Sequence, residues 1–212
     1  MLMKVFMFIL AAVVSYLICG VNFAVILSNL IYHSDIREQG SGNPGFTNFK
    51  RAYGNKYAWF VFFLDILKAV LPCIVFGILF GKLFDMRQIG AAYSGLFGIL
   101  GHIFPCWYHF KGGKGFLVLL GTLWVVDWRA GAIATGVMVV LLLSTKLMSL
   151  ATMTGVICGV ASVAIFGPDS WWAVILLIPC VVLNVWRHKD NIKRLVAGTE
   201  NKTYIFGKGK AK

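Results

Sequence analysis

"FLVLLGTLWVVDWRAGAIATGVMVVLLL", residues 116–143, is the stretch on which the fold turns. It is almost continuously apolar, but Asp127-Trp128-Arg129 interrupts it near the middle. Read as one helix, it would hold a carboxylate and a guanidinium inside a bilayer, at a cost of at least ~2.5 kcal/mol each. Read as two short helices meeting at Asp127, it brings both charges to an interface. Short spans are tolerated when they pack among other helices rather than against lipid.

Five other apolar runs approach the ~20 residues a spanning helix needs. They cover residues 5–30, 57–81, 89–108, 150–166 and 171–186. Splitting 116–143 gives seven spans. The loops 31–56, 109–115, 144–149 and 187–212 then share one side and hold 15 lysines and arginines, against 4 on the other side. Keeping 116–143 whole gives six spans and a weaker contrast of 12 against 6. Cytoplasmic loops carry the excess of Lys and Arg, so the split is preferred. The expected architecture is an all-α integral membrane protein, a single polytopic domain over residues 1–212. It has seven transmembrane helices, the N-terminus outside and the C-terminus cytoplasmic. The polar loops, and His33, His102, His109 and His188, then lie at or near the cytoplasmic face.

Composition agrees with a polytopic chain. Hydrophobic residues make up 59% and charged residues 13% of the 212 positions, and the mean hydropathy is +0.80. The first apolar run is too long for the h-region of a cleaved signal peptide. The net charge of +12 would suggest nucleic acid in a soluble protein. Here cytoplasmic anchoring and anionic headgroups account for it, with an anionic substrate as a second use and no nucleic-acid partner. Cys19, Cys73, Cys106, Cys158 and Cys180 form no CxxC pair and read as small buried hydrophobes.

Three polar stretches interrupt this apolar frame. In the first, Gly40-Ser41-Gly42-Asn43-Pro44-Gly45-Phe46-Thr47-Asn48 precedes Lys50-Arg51. It reads equally as a Gly/Asn/Pro loop and as a hydroxyl, amide and guanidinium surface for phosphate. The second is His109-Phe110-Lys111-Gly112-Gly113-Lys114-Gly115-Phe116, extended back to Gly101-His102. Its glycines allow backbone N–H groups to converge on an anion, its lysines add charge, and a helix starting near Gly115 would point its dipole there. The Walker A spacing is absent. The third runs from Arg187-His188-Lys189-Asp190-Asn191 through Arg194-Leu195 to Gly198-Thr199-Glu200. A lipid-gripping basic tail explains its cations but not the interleaved His, Asn and Glu. Within the second span, Asp65 and Lys68 stand three apart on one helix face. Such a pair is functional by default, with a structural role almost as good a reading. Pro72 follows and is a candidate kink.

Together these motifs resemble the bacterial acyl-phosphate:glycerol-3-phosphate acyltransferases, the PlsY family. The first motif is similar to the family's GSGNxGxTN with its following arginine, at Arg51. The second is similar to GHxFPxxxxFKGGKG and the third to RHxxNIxRLxxGxE. Three departures stand out: Phe116-Leu117-Val118 where Val-Ala-Thr is usual, loss of Ser and Pro in the first span at Gly20-Val21-Asn22, and Ala69 in place of glycine.

The resemblance implies acyl transfer from acyl-phosphate to glycerol 3-phosphate, giving lysophosphatidic acid and phosphate. This is the first acylation of bacterial phospholipid synthesis, at the cytoplasmic side of the inner membrane. It implies catalytic roles for Ser41, Arg51, His188 and Asn191. Lys111, Gly112, Gly113, Lys114 and Gly115 would form a phosphate-binding loop, supported by Gly42, Asn43, Thr47, Asn48, His102 and Lys68. Glu200 and Asp65 would be structural. No cofactor and no metal are implied. The partners are the two phosphorylated substrates and membrane lipid. Acyl-phosphate is already an activated anhydride, so positioning and charge neutralisation can supply most of the acceleration. The proton acceptor is either His188 or, as favoured here, the substrate's own phosphate. The alternatives are a catalytically silent divergent paralogue and an organic-phosphate transporter.

Overall fold

The computed structural model describes residues 1–166 and 171–204, and among these every regular element is helical. The decisive stretch is broken where its charges stand. α6 (Phe116–Val126) ends and α7 (Trp128–Thr145) begins on either side of Asp127, which is extended at φ −152°. The Asp127 carboxylate caps α7 by accepting from the Arg129 peptide N–H at 2.9 Å, and it ion-pairs with the Arg129 guanidinium at 2.8 Å. One carboxylate thus satisfies an orphan helix donor and neutralises the neighbouring cation.

The other helices are α1 (Leu2–Gly20), α2 (Phe23–Tyr32), α3 (Phe46–Tyr53), α4 (Asn55–Phe84), α5 (Arg87–Ile103), α8 (Met148–Ile165), α9 (Trp171–Arg187) and α10 (Lys189–Val196). Among the described residues, five helical segments are long and apolar enough to cross a membrane. A sixth counts if α9 and α10, bent by 58° at His188, are taken together. At 11 residues, α6 is about 16 Å long, far short of the ~30 Å hydrocarbon layer.

Two of the apolar runs are interrupted. The run 5–30 is not one straight helix: Asn22 breaks it, N-capping α2 by accepting from Val25 N at 3.1 Å and donating to Pro44 O at 3.1 Å. The run 89–108 is helical only as far as Ile103, followed by a short 3-10 turn, Cys106–Tyr108. The helix containing Pro72 continues through it for 30 residues, about 45 Å. Lys208, Lys210 and Lys212 of the cationic tail, and the connection 167–170, lie outside the described residues.

α5 is the hub, packed against α1, α4, α6 and α9. Gly101 shows why it is rich in small residues: a Cβ there would lie 2.1 Å from the Tyr16 carbonyl oxygen of α1. Close approach of backbones is how helices associate in a membrane, where lipid removes the hydrophobic drive between them. On α4, Phe60, Phe63, Leu67, Leu71, Ile74 and Ile78 are exposed at three- and four-residue spacing, the pattern of a lipid-facing stripe. α4 and α7 each pack on the short α6 but not along each other. A cleft is left between them.

Candidate active site

The cleft holds a cavity of about 390 Å³. Its apolar part is lined by Trp59 and Phe62 of α4, Phe116 and Leu117 of α6, and Met138, Val139 and Leu142 of α7. Its polar part gathers all three sequence motifs: Ser41, Asn43, Thr47, Asn48 and Arg51 from the first, His102, Lys114 and Gly115 from the second, and His188, Asn191 and Glu200 from the third. A second cavity of about 280 Å³ shares Ser41, Asn43, Lys114, Asn191 and Arg194 and adds Gly42, Gly112 and Lys189.

The first motif is shaped by Asn48. Its side-chain oxygen accepts from the Ser41 peptide N–H at 2.9 Å, and its amide donates to the carbonyls of Gln39 at 2.8 Å and Ile36 at 3.2 Å. Both donors of this buried amide are spent on the loop. Asn48 therefore acts by folding the loop, while the Ser41 hydroxyl is left exposed and without a partner among the described residues.

The glycine loop differs from the expected ring of N–H donors. The peptide N–H groups of Gly112 and Gly113 donate to the Ile103 and His102 carbonyls, each at 3.1 Å. On its other side, Arg187 donates to the Gly112 and Gly113 carbonyls at 2.8 and 3.1 Å, and Asn184 donates to the Lys114 carbonyl at 3.0 Å. The glycines are needed for closeness: a Cβ on Gly113 would sit 2.2 Å from His102 Nε2. The loop is thus a clamped strip between the ends of α5 and α9, and Lys114 is the group it delivers. Gly115, at φ +81°, turns the chain into α6, whose uncapped N-terminus adjoins the cavity. Its dipole favours an anion there. Lys111 is exposed and lines neither cavity.

The Lys114 ammonium donates to Asn191 Oδ1. Asn191 Nδ2 donates to Glu200 Oε1 at 2.7 Å, and that carboxylate also accepts from Ser149 at 3.0 Å and from Arg194 Nε at 2.7 Å. Glu200 can only accept, so it fixes which end of the Asn191 amide faces Lys114. Burial, with Arg194, Arg187 and Arg51 nearby, brings the Lys114 pKa down to about 8, although the Glu200 charge opposes the shift. Burial pushes Glu200 up, but its hydrogen bonds from Asn191, Arg194 and Ser149 outweigh this and leave it below the usual carboxylate range.

His188 is 4% exposed, and its Nδ1 donates to the Asn184 carbonyl at 2.8 Å. That bond selects the tautomer whose Nε2 lone pair is available. Burial, with Lys114 close by, lowers its pKa to about 4. The ring is neutral at pH 7. Asp65 and Lys68 ion-pair at 2.7 Å, and Lys68 also donates to the Val21 carbonyl at 2.6 Å, bridging α4 to the α1–α2 break. Lys68 lines neither cavity. His33 and His109, both in the left-handed region, also stay outside them.

Sequence reasoning placed Arg187 and Arg194 in the third motif without a site role, and it missed Ser149 and Thr203. Arg194 lies three residues after Asn191, on the same helix face, which was a usable signal. The others depend on tertiary placement.

A family model described as glycerol-3-phosphate acyltransferase matches residues 9–198. The chain belongs to the glycerol-3-phosphate acyltransferase family. Glycerol-3-phosphate acyltransferase of Thermoanaerobacter pseudethanolicus is 39% identical over 92% of this chain and 94% of the relative. That of Francisella philomiragia subsp. philomiragia is 38% identical over 94% of each. The fold is similar to the crystal structure of PlsY (YgiH), an integral membrane glycerol 3-phosphate acyltransferase, in its glycerol 3-phosphate form. The TM-score is 0.84 at 32% identity, covering 94% of this chain and 96% of that one. The lysophosphatidic acid form gives a TM-score of 0.82 at 30% identity. This member of the family is a multi-pass membrane protein.

Proposed function

We propose that this acyltransferase moves an acyl group from acyl-phosphate to glycerol 3-phosphate, releasing lysophosphatidic acid and inorganic phosphate. The observation that carries this reading is a single cavity with an apolar end and a cationic end. Trp59, Phe62, Met138, Val139 and Leu142 suit an acyl tail, and Lys50, Arg51, Lys114 and Arg194 suit phosphate. The names of its relatives point the same way.

In the step proposed, a glycerol hydroxyl attacks the acyl carbonyl carbon, and the C–O bond to phosphate breaks. The departing phosphate takes the hydroxyl proton. His188, with a pKa near 4, is a weak base at pH 7, which favours the substrate phosphate as acceptor. Ser41, Arg51, Lys114 and Asn191 bind and orient, and the neighbouring cations neutralise the charge that builds on the oxyanion and the leaving phosphate. Gly42, Asn43, Thr47 and His102 are assigned supporting roles in phosphate binding, whereas Lys111, outside both cavities, is given none. Asn48, Lys68, Asp65 and Glu200 hold the frame.

On this reading the chain lies in the bacterial cytoplasmic membrane as one polytopic domain. It crosses seven times, with α1–α2 and α6 each counted as a span, the N-terminus outside and the site facing the cytoplasm. The charge asymmetry of the loops supports this orientation. Cysteine-accessibility labelling in oriented vesicles tests it: a cysteine replacing Lys189 should react from the cytoplasmic side only. The reaction is tested by supplying the purified protein with glycerol 3-phosphate and palmitoyl-phosphate and following lysophosphatidic acid. Absence of product from folded protein would favour a silent paralogue.

A further inference from the structure

The segment after α10 does more than trail into the cytoplasm. It turns at Gly198, at φ +69°, where the Thr199 peptide N–H donates to the Arg194 carbonyl at 2.8 Å. Glu200 is then tied to Ser149, Asn191 and Arg194. Three residues on, the Thr203 peptide N–H donates to the Lys146 carbonyl in the α7–α8 turn at 2.8 Å. The Lys50 ammonium donates to the Tyr204 carbonyl at 2.7 Å, and Arg51 Nη2 donates to the Thr203 hydroxyl at 3.2 Å. This strap runs from the α7–α8 wall of the cleft to the α3–α4 wall, across the polar end of the cavity. It lies beyond the matched family region, which ends at residue 198.

Thr203 is 6% exposed while Lys202 and Tyr204 on either side are exposed, so its side chain is turned inward to the cavity it lines. Arg51 is an exposed side chain with no ion pair among the described residues, and the Thr203 hydroxyl is its one side-chain hydrogen-bond partner there. A free arginine samples many rotamers, and holding one geometry costs entropy that a fixed acceptor offsets in advance. We infer that Thr203 is a positioning residue for Arg51: the strap, pinned at Glu200 and at Lys146, presents a hydroxyl that aims the guanidinium at the substrate phosphate.

The inference rests on the acyltransferase reading of Arg51, and the test separates the two. Thr203→Val keeps shape and the peptide N–H but removes the hydroxyl, and Thr203→Ser restores it. Glycerol 3-phosphate binding by calorimetry without donor, and turnover with palmitoyl-phosphate, are measured for both. Thr203→Val should weaken binding and lower kcat/KM about fivefold, the scale of one hydrogen bond, with the thermal midpoint unchanged. Thr203→Ser should stay within about twofold of the parent. In an Arg51→Lys background, Thr203→Val should have little further effect, because coupled residues are non-additive. Parent-like binding in Thr203→Val, failure of Thr203→Ser to rescue, or an undiminished loss in the Arg51→Lys background would overturn the inference. A parent protein that binds glycerol 3-phosphate but makes no product from palmitoyl-phosphate would instead defeat the proposed turnover, and the binding data would still decide the role of Thr203.

Discussion

Replacing Lys114 by methionine removes the one ammonium that the clamped glycine loop delivers to the cavity while keeping most of its volume. A hydrogen bond to a charged group contributes about 1.5–3 kcal/mol. The expected loss in kcat/KM for glycerol 3-phosphate is therefore roughly tenfold to 150-fold. The pH dependence adds a second signature. In the free enzyme the ammonium is present below its pKa of about 8 and lost above it. Because kcat/KM reports the free enzyme, it should fall as pH rises through 8 in the parent. That limb should be missing in Lys114→Met and displaced upward in Lys114→Arg. The contribution of Lys114 to stability runs the other way. A lysine whose folded pKa lies below its unfolded value binds fewer protons folded than unfolded between about pH 8 and 10.5, so its contribution to stability rises there. Activity and this contribution thus move in opposite directions over the same window. The assay is initial-rate formation of lysophosphatidic acid from pH 6.5 to 9.5 in detergent. Parent-like kinetics in Lys114→Met, or the same alkaline limb in that variant, would refute the reasoning.

Other outcomes follow from the same geometry. Glu200→Gln replaces an acceptor of three hydrogen bonds by a group that must turn a donor toward one of them, and it should cost about 1.5–3 kcal/mol, read as a lower thermal midpoint. Gly101→Ala forces a Cβ to within 2.1 Å of the Tyr16 carbonyl oxygen. It should separate α1 from α5 and destabilise by at least about 1–3 kcal/mol; an unchanged midpoint would show that the helices can part freely. Because His188 is already neutral at pH 6, an inflection in rate near pH 6–7 is assigned to a substrate phosphate, whose second pKa is ~6. It should persist in His188→Gln, and its loss there would make His188 the base.

Much of the fold could be read from charge placed against hydropathy. Asp127 and Arg129 cannot sit singly in lipid, and the chain breaks where they meet, with Asp127 capping the helix that follows. Asn22 carried the same kind of signal more faintly, as one amide in a long apolar run. Its meaning depended on the Pro44 carbonyl it reaches. The motifs named the residues of the site but not their division of labour. Glycine spacing cannot tell N–H groups aimed at an anion from N–H groups spent on a neighbouring helix end, and here the carbonyls of His102 and Ile103 take them. Asn48 and Thr203 were opaque for a related reason. One looks like a ligand and is consumed by its own loop. The other looks like part of a basic tail and is carried back to Arg51 by contacts far away in sequence.

The central claim is the identity of the donor. Purified protein should be given glycerol 3-phosphate with palmitoyl-phosphate, palmitoyl-CoA or palmitoyl-carrier protein in parallel, and lysophosphatidic acid and free phosphate quantified together. Both products should form in equal amounts from palmitoyl-phosphate, and none from the two thioesters. Lysophosphatidic acid formed from a thioester, or none from palmitoyl-phosphate with folded protein, would contradict that claim.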